Sequence, residues 1–108
     1  MEKRLMVQEG HLLAVFNSGH RVMKAEGILK ALGLPVLLIP APRQLQTDCG
    51  LALRFSEDAR AQIMQALERE ELLPAFVSAY RGGLFVTTWV NEADEGREMR
   101  DETALLGR

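Results

Sequence analysis

The chain has 108 residues but only one cysteine, two histidines, four prolines and six aromatic side chains (four Phe, one Trp, one Tyr). Each scarcity excludes something. A single cysteine, Cys49, cannot form an internal disulfide, so a reducing interior is the natural setting. One Cys and two His, with nothing resembling C-x-x-C or H-x-x-x-H, leave no metal centre, since zinc asks for about four ligands at recognisable spacing. Thirteen Lys and Arg against fifteen Asp and Glu give a formal net charge of −2. That balance argues against a broad nucleic-acid-binding surface, which needs a basic stripe. The longest apolar runs, residues 12–16 and 34–40, fall far short of the roughly 20 residues that cross a bilayer. Neither a G-x-G-x-x-G run nor a Walker loop occurs, so no nucleotide cofactor is expected, and no cofactor of any other kind. The start, Met1-Glu2-Lys3-Arg4, is charged and lacks the apolar stretch of an export signal, so the cytoplasm is the expected location.

What is present reads as one α+β domain. Leu12 to Phe16 is an apolar run fit for a buried strand, closed by Asn17-Ser18-Gly19, residues that favour turns and helix N-caps. From Val22, apolar positions at 22, 25, 28, 29 and 32 follow helical spacing, and Gly33 with Pro35 ends the helix, which spans about 18 to 32. Gly27 inside it would cost about 1 kcal/mol relative to Ala, so close packing against a neighbour is expected there. Val36 to Ile39, between prolines, reads as a second strand, followed by a polar loop from Pro40 to Gly50. Leu51, Leu53 and Phe55 alternate with Ala52 and Arg54 in a third strand. Ser56 is placed to cap a second helix whose buried stripe is Ala59, Ile63, Ala66 and Leu67 and whose limit is Pro74. Residues 75–80 read as a fourth strand. Gly82-Gly83 signals a tight turn into a fifth over 84–90, and residues 91–108, with six acids and three arginines, read as a polar tail.

The order β-α-β-β-α-β, with one strand added, predicts a ferredoxin-like split βαβ sandwich with both helices on one sheet face. Right-handed crossovers make the first two strands parallel, with the third between them and antiparallel to both. The expected organisation is a leader over 1–11, a domain over 12–81 and an extension over 82–108. In this topology Ser18, Gly19 and His20 share one end of the sheet with Arg43, Asp48, Cys49 and Gly50.

Cys49 is the candidate for reactivity. It sits in Gln-Thr-Asp-Cys-Gly, a polar loop-to-strand junction rather than an apolar setting. A helix N-terminus, Arg43 or His20 nearby would stabilise its thiolate, and Asp48 would oppose that. An inert cysteine is the competing reading. His20 is either a partner of Cys49 or a polar first-turn residue. Arg43, stiffened by Pro42, either meets an anion or anchors its own loop. Ser18 and Gly19 either bind an anion on backbone N–H groups or cap the helix. His11 has no neighbour to act with and is read as structural.

Several strings taken together resemble the selenium/sulfur (Se/S) carrier-like family, a small domain of unknown function. They are Phe16-Asn17-Ser18-Gly19-His20, Ala25-Glu26, Ile39-Pro40-Ala41-Pro42-Arg43 and Asp48-Cys49-Gly50-Leu51-Ala52-Leu53-Arg54-Phe55. The resemblance covers about residues 12 to 80. It implies a carrier in which Cys49 is the acceptor thiol, Gly50 its backbone neighbour, Arg43 a loop cation, and Ser18 with His20 the facing helix start. Donor and acceptor proteins would be its partners, and a homodimer is a further option. No general acid and base pair is visible beside the thiol, so a carrier is expected rather than a turnover enzyme. Two other readings compete: a ligand-binding or regulatory dimerisation module without cysteine chemistry, and an adaptor whose strand 84–90 joins a partner sheet.

Overall fold

Residues 6–45 and 47–92 are described by the computed structural model. In chain order they form β1 (Leu12–Val15), α1 (Gly19–Ala31), β2 (Leu37–Pro40), β3 (Leu51–Phe55), a 3-10 turn (Glu57–Ala59), α2 (Arg60–Arg69), β4 (Phe76–Arg81) and β5 (Leu84–Val90). The strands make one antiparallel sheet in the order β2-β3-β1-β4-β5. β3 therefore lies between β1 and β2, antiparallel to both, and β5 continues the sheet beyond β4. The polar tail expected beyond residue 90 falls, from residue 93 on, outside the described residues.

β1 is apolar at every position because both of its faces are covered. Leu12 and Ala14 pack with Val22, Ala25 and Leu29 of α1 and with Ile63, Ala66 and Leu67 of α2, joined by Phe16, Leu53, Phe55, Val77 and Ala79. Both helices thus lie on one face. Leu13 and Val15 point the other way, into a second cluster with Val7, Ile39 and Ala52. A strand buried on both sides shows no polar alternation, and this central one shows none. Each fully buried Leu or Val here contributes about 1.5–3 kcal/mol relative to exposure.

The segment expected as a leader helps build that second face. Val7 is buried in it, Gly10 N–H donates to Tyr80 O at 2.9 Å, and Tyr80 N–H donates to His11 O at 3.0 Å. Both oxygens of Glu9 accept from Gly82 N–H, at 3.0 and 2.9 Å, tying the segment to the β4–β5 turn. That turn has Gly82 at φ 60° and Gly83 at φ 82°, the left-handed pair that a two-residue hairpin demands.

Both helices end in the same way. After α1, Gly33 takes φ 78°, its N–H bonds Lys30 O, and Leu34 N–H reaches back to Leu29 O at 2.9 Å. After α2, Leu72 N–H reaches Leu67 O at 2.8 Å around Glu71 at φ 58°. α2 is therefore stopped by a left-handed residue three positions before Pro74. Two local expectations are corrected. A side chain at Gly27 would meet nothing within 4 Å, so no close approach explains that glycine. Ser56 makes no capping hydrogen bond, because a 3-10 turn opens the segment and α2 begins only at Arg60.

Candidate functional site

Cys49 lies where the β2–β3 loop re-enters the sheet, and the chain around it is held by its own hydrogen bonds. Ala41 N–H donates to Gly50 O at 2.9 Å, extending the β2–β3 ladder by one pair. Gly50 N–H donates to Thr47 Oγ1 at 2.8 Å, and Gly50 takes φ 72°, a conformation glycine adopts without steric cost. The Cys-Gly step thus turns the chain into β3 and leaves the cysteine at the bend. Within the loop, Leu45 N–H bonds Pro42 O at 3.0 Å, and Leu45 and Ala41 pack on the second sheet face. Much of the loop therefore folds back over the domain, with Arg43 and Gln44 exposed at the turn.

The thiol is half-buried and free of any disulfide. Its side chain packs against the helix-side core. Sγ donates to Leu51 O at 3.4 Å and, at a longer 3.8 Å, to Phe16 O. The Phe16 contact places the sulfur at the end of β1, and Gly19, the first residue of α1, lies directly against Cys49: a Cβ on Gly19 would stand 3.9 Å from Cys49 Cβ. A methyl group there would make ordinary van der Waals contact with the cysteine.

The α1 N-terminus is built by Ser18, whose Oγ accepts from Arg21 N–H at 3.2 Å while its carbonyl accepts from Val22 N–H at 3.2 Å. The hydroxyl is therefore occupied in capping, the alternative to anion binding. The N–H groups of Gly19 and His20 have no carbonyl one turn earlier to bond within the helix, and they bring the positive end of the helix dipole to this end of the sheet. The sulfur is thus directed at two carbonyl oxygens at the end of the sheet where α1 begins.

The sequence-based candidates separate here. Cys49, Gly19 and the Phe16 carbonyl meet, and Ser18 and Gly50 shape the two backbone segments that make the meeting possible. His20 and Arg43 are exposed, and among the described residues neither makes a hydrogen bond or ion pair with Cys49. Asp48 is exposed beside the cysteine. Among the described residues no group of three His, Cys, Asp or Glu could hold a metal ion, and no helix is long and apolar enough to cross a membrane.

Two residues of this region were not singled out by sequence. Thr47 holds the Cys49 turn through Gly50; the Thr-x-x-Gly spacing, a hydroxyl three residues before a glycine at a strand start, is the signal that could have found it. Arg21 crosses from α1 to the α2–β4 connection, where Nη2 donates to Glu71 O at 3.3 Å and to Leu73 O at 3.5 Å. Nothing local in the sequence links residues fifty positions apart.

Away from this site, His11 Nδ1 accepts from Gln8 N–H at 2.9 Å. Burial, with the positive charge of Arg54 nearby, lowers its pKa below 6.5, consistent with a ring that must stay neutral to accept. A groove of 250 Å³ runs over the second sheet face between Met6, Val7, Ile39, Pro42, Tyr80 and Phe85, on the side of the sheet away from Cys49.

In comparison with protein families, the family described as "Putative Se/S carrier protein-like" matches residues 11–78. No curated protein and no solved structure matches the chain. The matched span runs from the residue before β1 into β4 and includes the whole of the Cys49 site. The chain belongs to this family.

Proposed function

We propose that this member of the Se/S carrier-like family carries sulfur or selenium on Cys49, taking it from a donor protein and passing it to an acceptor. The observation that carries the reading is the placement of the chain's one thiol. It is half-buried at a loop-to-strand bend, against the start of α1 and next to Gly19. The transfer requires little else. Cys49 Sγ, as thiolate, attacks the outer sulfur of a donor persulfide; the donor S–S bond breaks, the donor sulfur leaves as thiolate, and Cys49 keeps a persulfide. A selenium atom would be taken in the same way from a donor selenopersulfide. No electrons are gained or lost overall, and no cofactor takes part. The proton that Sγ now shares with the Leu51 and Phe16 carbonyls passes to solvent or to the departing thiolate.

In this reading Gly19, Ser18 and Gly50 position the acceptor, and Arg43, His20 and Asp48, exposed on the surrounding loops, meet the donor and acceptor proteins rather than the sulfur. The domain over 12–81 is a ferredoxin-like sandwich extended by β5, working as a cytoplasmic carrier and not as a turnover enzyme. A second reading, a ligand-binding module indifferent to the cysteine, is favoured by the apolar groove of the far sheet face.

The deciding experiment is intact mass of the wild-type chain and Cys49→Ser after exposure to a persulfide or selenopersulfide donor, with alkylation to trap the product. A gain of one sulfur or selenium atom in the wild type alone supports the carrier. A native Cys49 that resists both donor and alkylation until the chain is unfolded removes that reading and leaves the ligand-binding module.

A further inference from the structure

β5 carries the sheet past the cover of the two helices. The helix-side core takes in residues of β1, β3 and β4, but of β5 only Trp89 packs against it. Val86, opposite the buried Ala79 on that face, is 42% exposed, and Leu84, two positions before it and on the same face, is 68% exposed. Between α2 and β5 this leaves a groove of 440 Å³ lined by Ala61, Met64 and Trp89, with Glu57, Asp58 and Arg60 beside them. Ala61 is exposed and Met64 half-buried, so an apolar strip on α2 faces the apolar strip of β5.

The chain that follows β5 sets out from the end of this groove. Asn91 N–H donates to Ala75 O at 2.9 Å, and Glu92 has helical backbone. Asn91 followed by Glu92, Asp94 and Glu95 is the sequence of a helix start. Gly96 costs a continuous helix about 1 kcal/mol relative to Ala and gives the chain a place to turn. Past it, Met99, Thr103 and Leu106 stand at i, i+4 and i+7, which is one stripe of a helix. On the same helical spacing Arg100 borders the stripe on one side, Glu98 and Glu102 border it on the other, and Leu105 is turned away from it. The segment is polar in composition, and its few apolar side chains are segregated.

We propose that residues 97–106 of this chain lie as an amphipathic helix in the groove between α2 and β5, running back along β5 with Met99, Thr103 and Leu106 against Trp89, Val86 and Leu84. Ten helical residues reach about 15 Å, close to the roughly 17 Å that five strand steps put between Trp89 and Leu84. With the right-handed crossovers of this topology, a helix in that direction carries Arg100 on its α2 side, where Glu57 and Asp58 are exposed. Glu98 and Glu102 then lie on the side away from those acids, whereas a helix running the other way would set acids against acids. The segment is tethered through Asn91 to the end of β5, so it meets the groove at a high effective concentration. That tether favours it over a second copy or another protein.

Trp89 is the one tryptophan of the chain and lies in the groove, so its fluorescence reports the docking in the full chain. Met99→Glu and Leu106→Glu are each expected to red-shift its emission and to raise its acrylamide quenching constant by about twofold, as a covered ring becomes partly exposed. Leu105→Glu, the same change on the side of the segment turned away from the groove, should leave both as in wild type. Thermal melting checks that every variant is folded, and the wild-type values should be the same from low to high micromolar concentration. Quenching unchanged in all three variants, or raised equally by Leu105→Glu and Leu106→Glu, overturns the proposal. So does a wild-type quenching constant that falls as the concentration rises, the mark of a second copy in the groove. Cys49 takes no part in this readout, which separates the outcome from the fate of the carrier reading.

Discussion

Cys49 and Gly19, about 30 residues apart along the chain, meet at one end of the sheet, where a Cβ on Gly19 would stand 3.9 Å from that of Cys49. This is ordinary contact distance for one methyl group. Gly19→Ala is expected to fold normally and to raise stability by up to about 1 kcal/mol, because its backbone angle suits alanine. Gly19→Val should slow alkylation of Cys49 several-fold with the melting temperature nearly unchanged. Equal alkylation rates in wild type and Gly19→Val would mean that reagents reach the sulfur from another side.

Thr47 supports the bend that presents the cysteine. Thr47→Val removes the acceptor for Gly50 N–H at a cost of about 1 kcal/mol, read as a shift in the urea midpoint. Loosening the bend should also speed Cys49 alkylation, whereas a hydroxyl with no positioning role would leave that rate where it was.

Glu71 ends α2 at φ 58°, a left-handed conformation that costs a side-chain-bearing residue about 1–2 kcal/mol. Glu71→Gly should therefore stabilise the chain by about 1 kcal/mol in urea unfolding. The Arg21 contact is made to the Glu71 backbone oxygen and survives the change. Gly33→Ala, at φ 78° after α1, should shift stability by a similar amount in the opposite direction.

His11 makes stability depend on pH with a definite sign. Its folded pKa lies below 6.5, so the unfolded chain binds the proton first as the pH drops. Its contribution is complete above about pH 6.5 and is lost as the pH falls from there through the folded value. Unfolding curves of wild type and His11→Gln should run parallel at pH above 7 and converge toward pH 5. A gap between them that is the same at both ends would exclude this titration as a source of stability.

Much of the fold was legible because it is written in local chemistry. The aliphatic runs at 12–16 and 36–39, the 22/25/29 stripe, the 63/66/67 stripe and the double glycine at 82–83 are each read by neighbours within a few residues. Their elements stand where expected to within a residue or two at the strand ends. Ser56 and Gly27 show the limit of that reading. A serine before two acids suits a helix cap, but the backbone that follows decides whether the cap is used. A glycine inside a helix signals close approach only where another element comes near.

By itself, then, the sequence determined the succession of strands and helices, the single thiol, and the glycine that bends the chain after it, because propensity, periodicity and turn chemistry act over short stretches. Only the tertiary structure decided that Gly19 and the Phe16 carbonyl reach Cys49 while His20 and Arg43 do not, that Val7 helps close the second face of the sheet, and that β5 is an edge strand among the described residues. Those relations depend on which residues the sheet order and the packing of both faces bring together, and no spacing along the chain encodes a contact that forms only once the core has closed.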